Sequence, residues 1–390
     1  VGTTLYTSDG GSFKIKKAKI RGQVSEGMIC AEDELGLGES HAGIMVLPDD
    51  LEAGLEAAEY FKIEKDTVYE IGLTPNRSDA TSHLGVARDL SAFLRFHKDE
   101  NKYAIRPPST DVNMPSGGGT PIHVVVEDHE LCPRYSGVII RDLAIGESPD
   151  WLKSRLEAID VRPINNIVDV TNYILHEMGQ PLHAFDMREL EDNKLIVKTL
   201  ANGTSFITLD EQERKLKDSD LMICNGKGEG ICIAGVFGGM GSGVKDDTTA
   251  IFLESAHFSA SAIRKTSMGH LLRTDAAKVF EKGSDPSITT KALERAITLL
   301  KDICGGRVDS QIVDVYPKPI SRARVLLRRE KVLNLIGLDL KDDVVERLLA
   351  VLNMEILDRK EGSWTIAVPT DKSDVTREVD VIEELLRVYG

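Results

Sequence analysis

No run of about 18 apolar residues occurs in the chain, and its first residues, Val1-Gly2-Thr3-Thr4, lack the basic, then apolar, then small-residue order of a signal peptide. A membrane span and a secretory leader are therefore not expected, and the reading is cytoplasmic. Cysteine is sparse: Cys30, Cys132, Cys224, Cys232 and Cys304 are odd in number and widely spaced. With no C-x-x-C pair to suggest zinc or a redox couple, they read as reduced and mostly structural. A G-x-S-x-G elbow and a P-loop are both missing, so neither a serine nucleophile nor an ATP site is legible. Positive charge is short as well. A formal net charge of −15 argues against a broad footprint for nucleic acid, because non-specific binding rests on Lys and Arg neutralising phosphates. Any RNA contact would be local or shared with partner chains.

What is present is ordinary globular material: 390 residues, 41% hydrophobic and 28% charged. At roughly 100–200 residues per domain, this suits about two to four packed units. The chain opens in mid-pattern without a methionine and stops directly after an apolar-periodic helix, which reads as a piece of something longer.

Along the chain, residues 1–47 alternate short β-like runs with glycine turns, as in the closing strands of an OB-type barrel. Residues 48–106 form the next segment, in which the turn-forming stretch Leu73-Thr74-Pro75-Asn76-Arg77-Ser78-Asp79 feeds a helix marked by Leu84, Ala87, Leu90 and Leu94. Residues 107–121, with Pro107-Pro108, Pro115 and Gly117-Gly118-Gly119, read as a linker. Residues 122–316 mix β-rich runs at 122–126, 194–200 and 231–236 with a helix at 287–303, opened by Asp285-Pro286 and closed by Gly305-Gly306. This block is α+β and long enough for its own core. Residues 317–390 order helix 329–336, helix 344–352, a hairpin about Glu361-Gly362 and a helix from Asp380, a small winged-helix-like module.

Three segments carry a resemblance: Leu73 to Asp79; the run from Asp169-Val170-Thr171-Asn172-Tyr173 to Gly179-Gln180-Pro181-Leu182-His183-Ala184-Phe185-Asp186; and the stretch from Phe237-Gly238-Gly239 to Asp285-Pro286. In joint order they are similar to the bacterial-type phenylalanyl-tRNA synthetase β subunit, and the match spans nearly the whole chain. The resemblance implies the tail of an OB-fold tRNA-binding domain at 1–47, a split β-subunit domain at 48–106, the B3/B4 editing domain at 122–316 and the B5 module at 317–390. The expected fold class is thus α+β and multidomain. It further implies an α-subunit partner in an α₂β₂ assembly that uses ATP to charge tRNA(Phe), with the synthetic site on the α subunit. The family usually has an arginine where this chain has Lys372.

A pocket that accepts phenylalanine refuses tyrosine only about 10²-fold, because an apolar pocket cannot strongly reject an added hydroxyl. A second, hydrolytic site must then bind the phenol, and it needs a buried acceptor. Glu254, in the apolar run Ile251-Phe252-Leu253-Glu254-Ser255-Ala256, is the candidate, against the plainer reading of a structurally paired carboxylate. The resemblance adds Gly238 and Gly239 as close-approach positions, otherwise a turn, and Asn172 and Ala276 as further pocket residues. It adds His183, otherwise a core histidine, and Thr171 and Thr274 as groups that orient water or ester. Hydrolysis by an oriented water, without a covalent enzyme intermediate, follows from the lack of a legible nucleophile.

In the last module Asp380, Glu383 and Glu384 share a helix face, with Asp374 nearby in sequence. From residues alone this reads as a solvated acidic face ahead of a ligand set. The resemblance implies a Mg²⁺ shared with the α subunit, which all-oxygen ligands suit. Two rivals remain: a non-catalytic scaffold or tRNA-binding module with an inactive editing pocket, and a metal hydrolase centred on these carboxylates. The second would need histidines, which residues 321–390 lack.

Overall fold

The structure is a computed structural model and describes residues 2–6, 11–38, 40–61, 66–98, 102–110, 112, 114–116 and 119–390. Of the residues singled out in the sequence, Val1, Gly117 and Gly118 lie outside them. The chain divides into two compact units, one ending at Thr67 and the other running from Val68 to Gly390. In the first, strand Thr4–Tyr6 pairs antiparallel with Ser12–Lys14, and Ala18–Ile20 with Gln23–Ser25. Each pair is its own two-stranded sheet, so no OB-type barrel closes among the described residues.

The second unit is built on two five-stranded sheets. One runs in the order Phe237–Gly238, Gly230–Ile233, Leu221–Cys224, Lys194–Thr199 and His123–Val126, its last pair parallel. In the other, Arg134–Arg141 is flanked by Ala250–His257 on one side and by Arg307–Val308 and Val313–Val315 on the other, with Leu182–Asp186 beyond Ala250–His257. Strand side chains alternate between faces, and this sheet sends Val138, Ile140, Ala184, Ile251 and Leu253 into a core shared with helices Asp150–Glu157, Asn166–Met178 and Thr289–Cys304. Tyr135, Ile139, Phe185, Phe252 and Ala256 point the opposite way, into a core shared with the first sheet. The expected linker is held against this block: Thr120 Oγ1 donates to Asp309, Gln311 to Pro115 O, and Val112 and Met114 pack on the helical core.

A third core joins the sheet of Arg324–Arg328, Ser363–Ala367 and Glu355–Lys360 to helices Arg329–Ile336, Asp342–Val351 and Glu378–Tyr389. Ala92 and Phe96 of helix His83–His97 belong to it too. The helix that follows the 73–79 turn therefore packs on the last module across the intervening block. Among the described residues no helix is long and apolar enough to cross a membrane.

Candidate functional site

Strand Ala250–His257 places Glu254 opposite His183 on one neighbour and opposite Gly137 on the other. Alternation puts Glu254 on the face of Phe252 and Ala256, between the two sheets, where it is 5% exposed. A carboxyl group so placed must find a hydrogen bond. Tyr135 supplies one, its hydroxyl donating to Oε2 at 2.5 Å. Oε1 accepts nothing from the described residues. Burial pushes the Glu254 carboxyl up to about 8, with the Tyr135 bond acting in the opposite direction. The neighbouring thiols of Cys132 and Cys232 are held well above the thiol range, by burial first and the Glu254 charge second.

His183 packs its ring edge-on against Phe185, with centroids 4.4 Å apart. Its Nε2 is out of contact with solvent and has no hydrogen-bond partner. Burial presses the imidazole down to about 4, so the ring is neutral at physiological pH. An orphaned nitrogen on a neutral ring is rare in folded proteins and marks a site to be explained.

Gly238 lies beside it. A Cβ there would stand 3.5 Å from His183 Cε1 and 2.8 Å from Leu209 Cδ1, and Leu209 N donates to Gly238 O at 3.0 Å. At Gly239 a Cβ would meet Phe206 Cζ and Ile231 O, each at 2.6 Å. Close approach of the Ile231 carbonyl and the Phe206 ring thus requires glycine at 239, whereas at 238 a Cβ would only have to displace the end of the Leu209 side chain.

The remaining expected residues are less tightly gathered. Thr274 caps helix Asp275–Phe280: its hydroxyl accepts from Ala277 N at 3.2 Å and donates to Val236 O at 2.7 Å, which ties the helix to the turn before Gly238. Ala276 packs on the inter-sheet core. Thr171 and Asn172 sit on helix Asn166–Met178, which covers the other face of the sheet from Glu254 and His183, and the Thr171 hydroxyl is spent on Val168 O at 2.7 Å. The sheet therefore separates these two from the Glu254–His183 pair. Tyr135 and Leu209 are site neighbours that sequence reasoning missed. Tyr135 lies 119 positions from Glu254, and no local pattern links them.

The carboxylates of the last module gather elsewhere. Asp374, Asp380, Glu383 and Glu384 line one cavity of about 300 Å³ together with Asn76, Arg77, Asp79, Lys372 and Arg377. Buried Glu384 accepts from Lys372 at 2.7 Å and from Arg387 at 2.9 Å, and these cations hold it below the usual carboxylate range although burial acts the other way. Lys372 also reaches Asp79 at 2.9 Å, and Asp79 pairs with Arg77. Asp380 pairs with Arg377 at 2.9 Å in a capping box. Asp374 and Glu383 are exposed. Among the described residues no group of three or more His, Cys, Asp or Glu side chains is arranged to hold a metal ion. The like charge of the acidic run is relieved by cations of the chain itself, Lys372 and Arg387 at Glu384 and Arg377 at Asp380.

Residues 131–305 match the B3/4 domain model and residues 325–390 the tRNA synthetase B5 domain model. The whole chain is 49% identical over 391 residues to the phenylalanine–tRNA ligase β subunit of Porphyromonas gingivalis and 48% identical over 390 residues to that of Bacteroides fragilis. In each case it covers 47% of the relative, so the chain spans about half the length of the proteins it matches. An N-terminal fragment of the phenylalanyl-tRNA synthetase β subunit from Pyrococcus horikoshii aligns at 16% identity and a TM-score of 0.39, covering 81% of this chain and 85% of that one.

Proposed function

Because the chain belongs to the phenylalanine–tRNA ligase β-subunit family, we propose that it serves, with an α subunit in an α₂β₂ assembly, in the ATP-dependent charging of tRNA(Phe) in the cytoplasm. Its own chemistry is hydrolysis of tyrosine wrongly esterified to that tRNA. The observation that carries this reading is the buried Glu254 carboxyl group, which among the described residues accepts only the Tyr135 hydroxyl, at Oε2, and lies opposite His183 with its orphaned Nε2.

Glu254 selects: a ligand phenol satisfies Oε1, whereas a phenyl ring leaves it buried and unpaired, and an unpaired buried acceptor is where discrimination is largest. His183 acts at the ester. Its neutral Nε2 takes a proton from a water whose oxygen bonds to the ester carbonyl carbon. The carbonyl–oxygen bond to the ribose then breaks, and the proton passes to the departing ribose oxygen. Gly238 and Gly239 hold backbone close to this point. Entry of the ring requires Leu209, 49% exposed above Gly238, to move aside.

A second reading has a specific observation in its favour. The Glu254 carboxyl group already bonds the Tyr135 phenol and Leu209 lies against Gly238, as a scaffold with an inactive editing site would have it. The full-length β subunit in complex with its α subunit, given Tyr-tRNA(Phe) and Phe-tRNA(Phe), separates the two readings. The editing reading expects tyrosine to be released faster than phenylalanine, and the scaffold reading expects release of neither above the rate in buffer.

The Mg²⁺ at Asp374, Asp380, Glu383 and Glu384 is proposed for the assembled protein alone, where a partner subunit would complete its oxygen ligands. Such an ion competes with Arg377 for Asp380, and no step of the hydrolysis runs through it. Asp380→Ala is expected to weaken association of the subunits in a magnesium titration while deacylation persists. Association of this variant identical to wild type at every magnesium concentration would remove the ion from the account.

A further inference from the structure

Tyr135 stands two register places from Glu254 on the neighbouring strand, since Ala256 pairs with Tyr135 and Glu254 with Gly137. A diagonal step of this kind separates residues by about 7–8 Å, within reach of an aromatic side chain. Tyr135 spans it with a fully buried ring and donates to Oε2 at 2.5 Å. Gly137, directly opposite Glu254, brings no side chain, because the Phe252 ring fills its place: a Cβ there would lie 2.1 Å from Phe252 Cζ. Glu254 is therefore held by one donor, and that donor is a phenol, the same group that distinguishes tyrosine from phenylalanine.

We propose that Tyr135 is a positioning residue for amino-acid selectivity: by occupying Oε2 it fixes the plane of the Glu254 carboxyl group and leaves Oε1 as the single acceptor for the phenol of the bound aminoacyl group. This rests on the editing reading above. The terminal torsion of a glutamate side chain is broad, so without an internal partner the plane of the carboxyl group would swing and the acceptor would be poorly aimed. The same bond opposes the effect of burial on Glu254. The other titratable groups facing Glu254 do not substitute for it: the His183 ring is neutral, and the Cys132 and Cys232 thiols stay protonated because burial pushes them up. Tyr135 does not touch the reacting ester.

The experiment uses the full-length β subunit in complex with its α subunit and measures release of tyrosine and of phenylalanine from tRNA(Phe) between about pH 6 and 9, for wild type, Tyr135→Phe and Glu254→Ala. Tyr135→Phe should lower the preference for tyrosine at least about twofold, the lower end of what a lost neutral hydrogen bond costs. It should also move the rise of that preference to higher pH, which a purely structural tyrosine would not do. Loss of preference in Glu254→Ala with the wild-type preference and pH profile kept in Tyr135→Phe overturns the inference and leaves the editing reading standing. Preference kept in Glu254→Ala overturns both. If Tyr135→Phe does not fold, Tyr135→3-fluorotyrosine takes its place, with nearly the same shape and a more acidic hydroxyl. The profile should then shift to lower pH, and an unshifted profile overturns the inference.

Discussion

Glu254 and His183 face each other across one strand pair, and burial acts on them in opposite senses. The carboxyl group holds its proton to about 8, and the imidazole gives its proton up until about 4. Near neutral pH both are uncharged, which keeps a histidine nitrogen available as a base. Replacing His183 by alanine should slow hydrolysis of tyrosyl and phenylalanyl esters by a similar factor, about 10²-fold or more if it is the general base, while the ratio of the two rates stays. Single-turnover deacylation of both esters measures this, and a changed ratio with an unchanged rate would place His183 at the ring instead of the ester. Glu254 was legible because a charge in an apolar strand has to be explained. Tyr135 was not: its chemistry appears only once strands 119 positions apart are paired.

At the scale of elements, helices declared themselves through local signals. The run closed by Gly305-Gly306 is helix Thr289–Cys304, ended by Gly305 in the left-handed conformation, and the late order of two helices, hairpin and helix is the one found. Strand neighbours were not legible. Arg134–Arg141 is buried along almost its whole length and so has no alternation to read, and Leu182–Asp186 is short and shows none either. The placement of Thr171 and Asn172 across the sheet follows from that missing topology. Thr274 illustrates how a matched motif and a structural duty coincide, since one hydroxyl caps a helix and anchors the turn that leads to Gly238. Thr274→Ala should cost about 1–3 kcal/mol, a lost cap together with the unpaired Val236 carbonyl, read as a drop in thermal midpoint that Thr274→Ser restores. Equal midpoints for wild type and the alanine variant would mean that the helix does not depend on this cap.

For the molecule as a whole, the buried pair predicts how stability varies with pH. Glu254 ordinarily titrates near 4.5 and does so near 8 when folded, so its burial costs nothing below 4.5 and progressively destabilises as pH rises toward 8. His183, ordinarily near 6.5 and folded near 4, has the reverse effect: stability is full above 6.5 and is lost as pH falls toward 4. Glu254→Gln should therefore gain on wild type as pH is raised across that first window, measured by denaturant unfolding at several pH values, and parallel stability curves would mean that Glu254 is already ionised when folded. The same titration enters function, because an ionised acceptor forms a stronger bond to a phenol, about 1.5–3 kcal/mol against about 0.5–1.5 for a neutral one. The most direct measurement is the ratio of tyrosine to phenylalanine release from tRNA(Phe) by the assembled protein with Glu254→Ala, shown by thermal melts to be folded, at a pH above 8 where the wild-type carboxylate is charged. The account predicts that the preference for tyrosine falls at least about tenfold relative to wild type, about 1.4 kcal/mol being tenfold, and a folded Glu254→Ala protein that discriminates as well as wild type would contradict it.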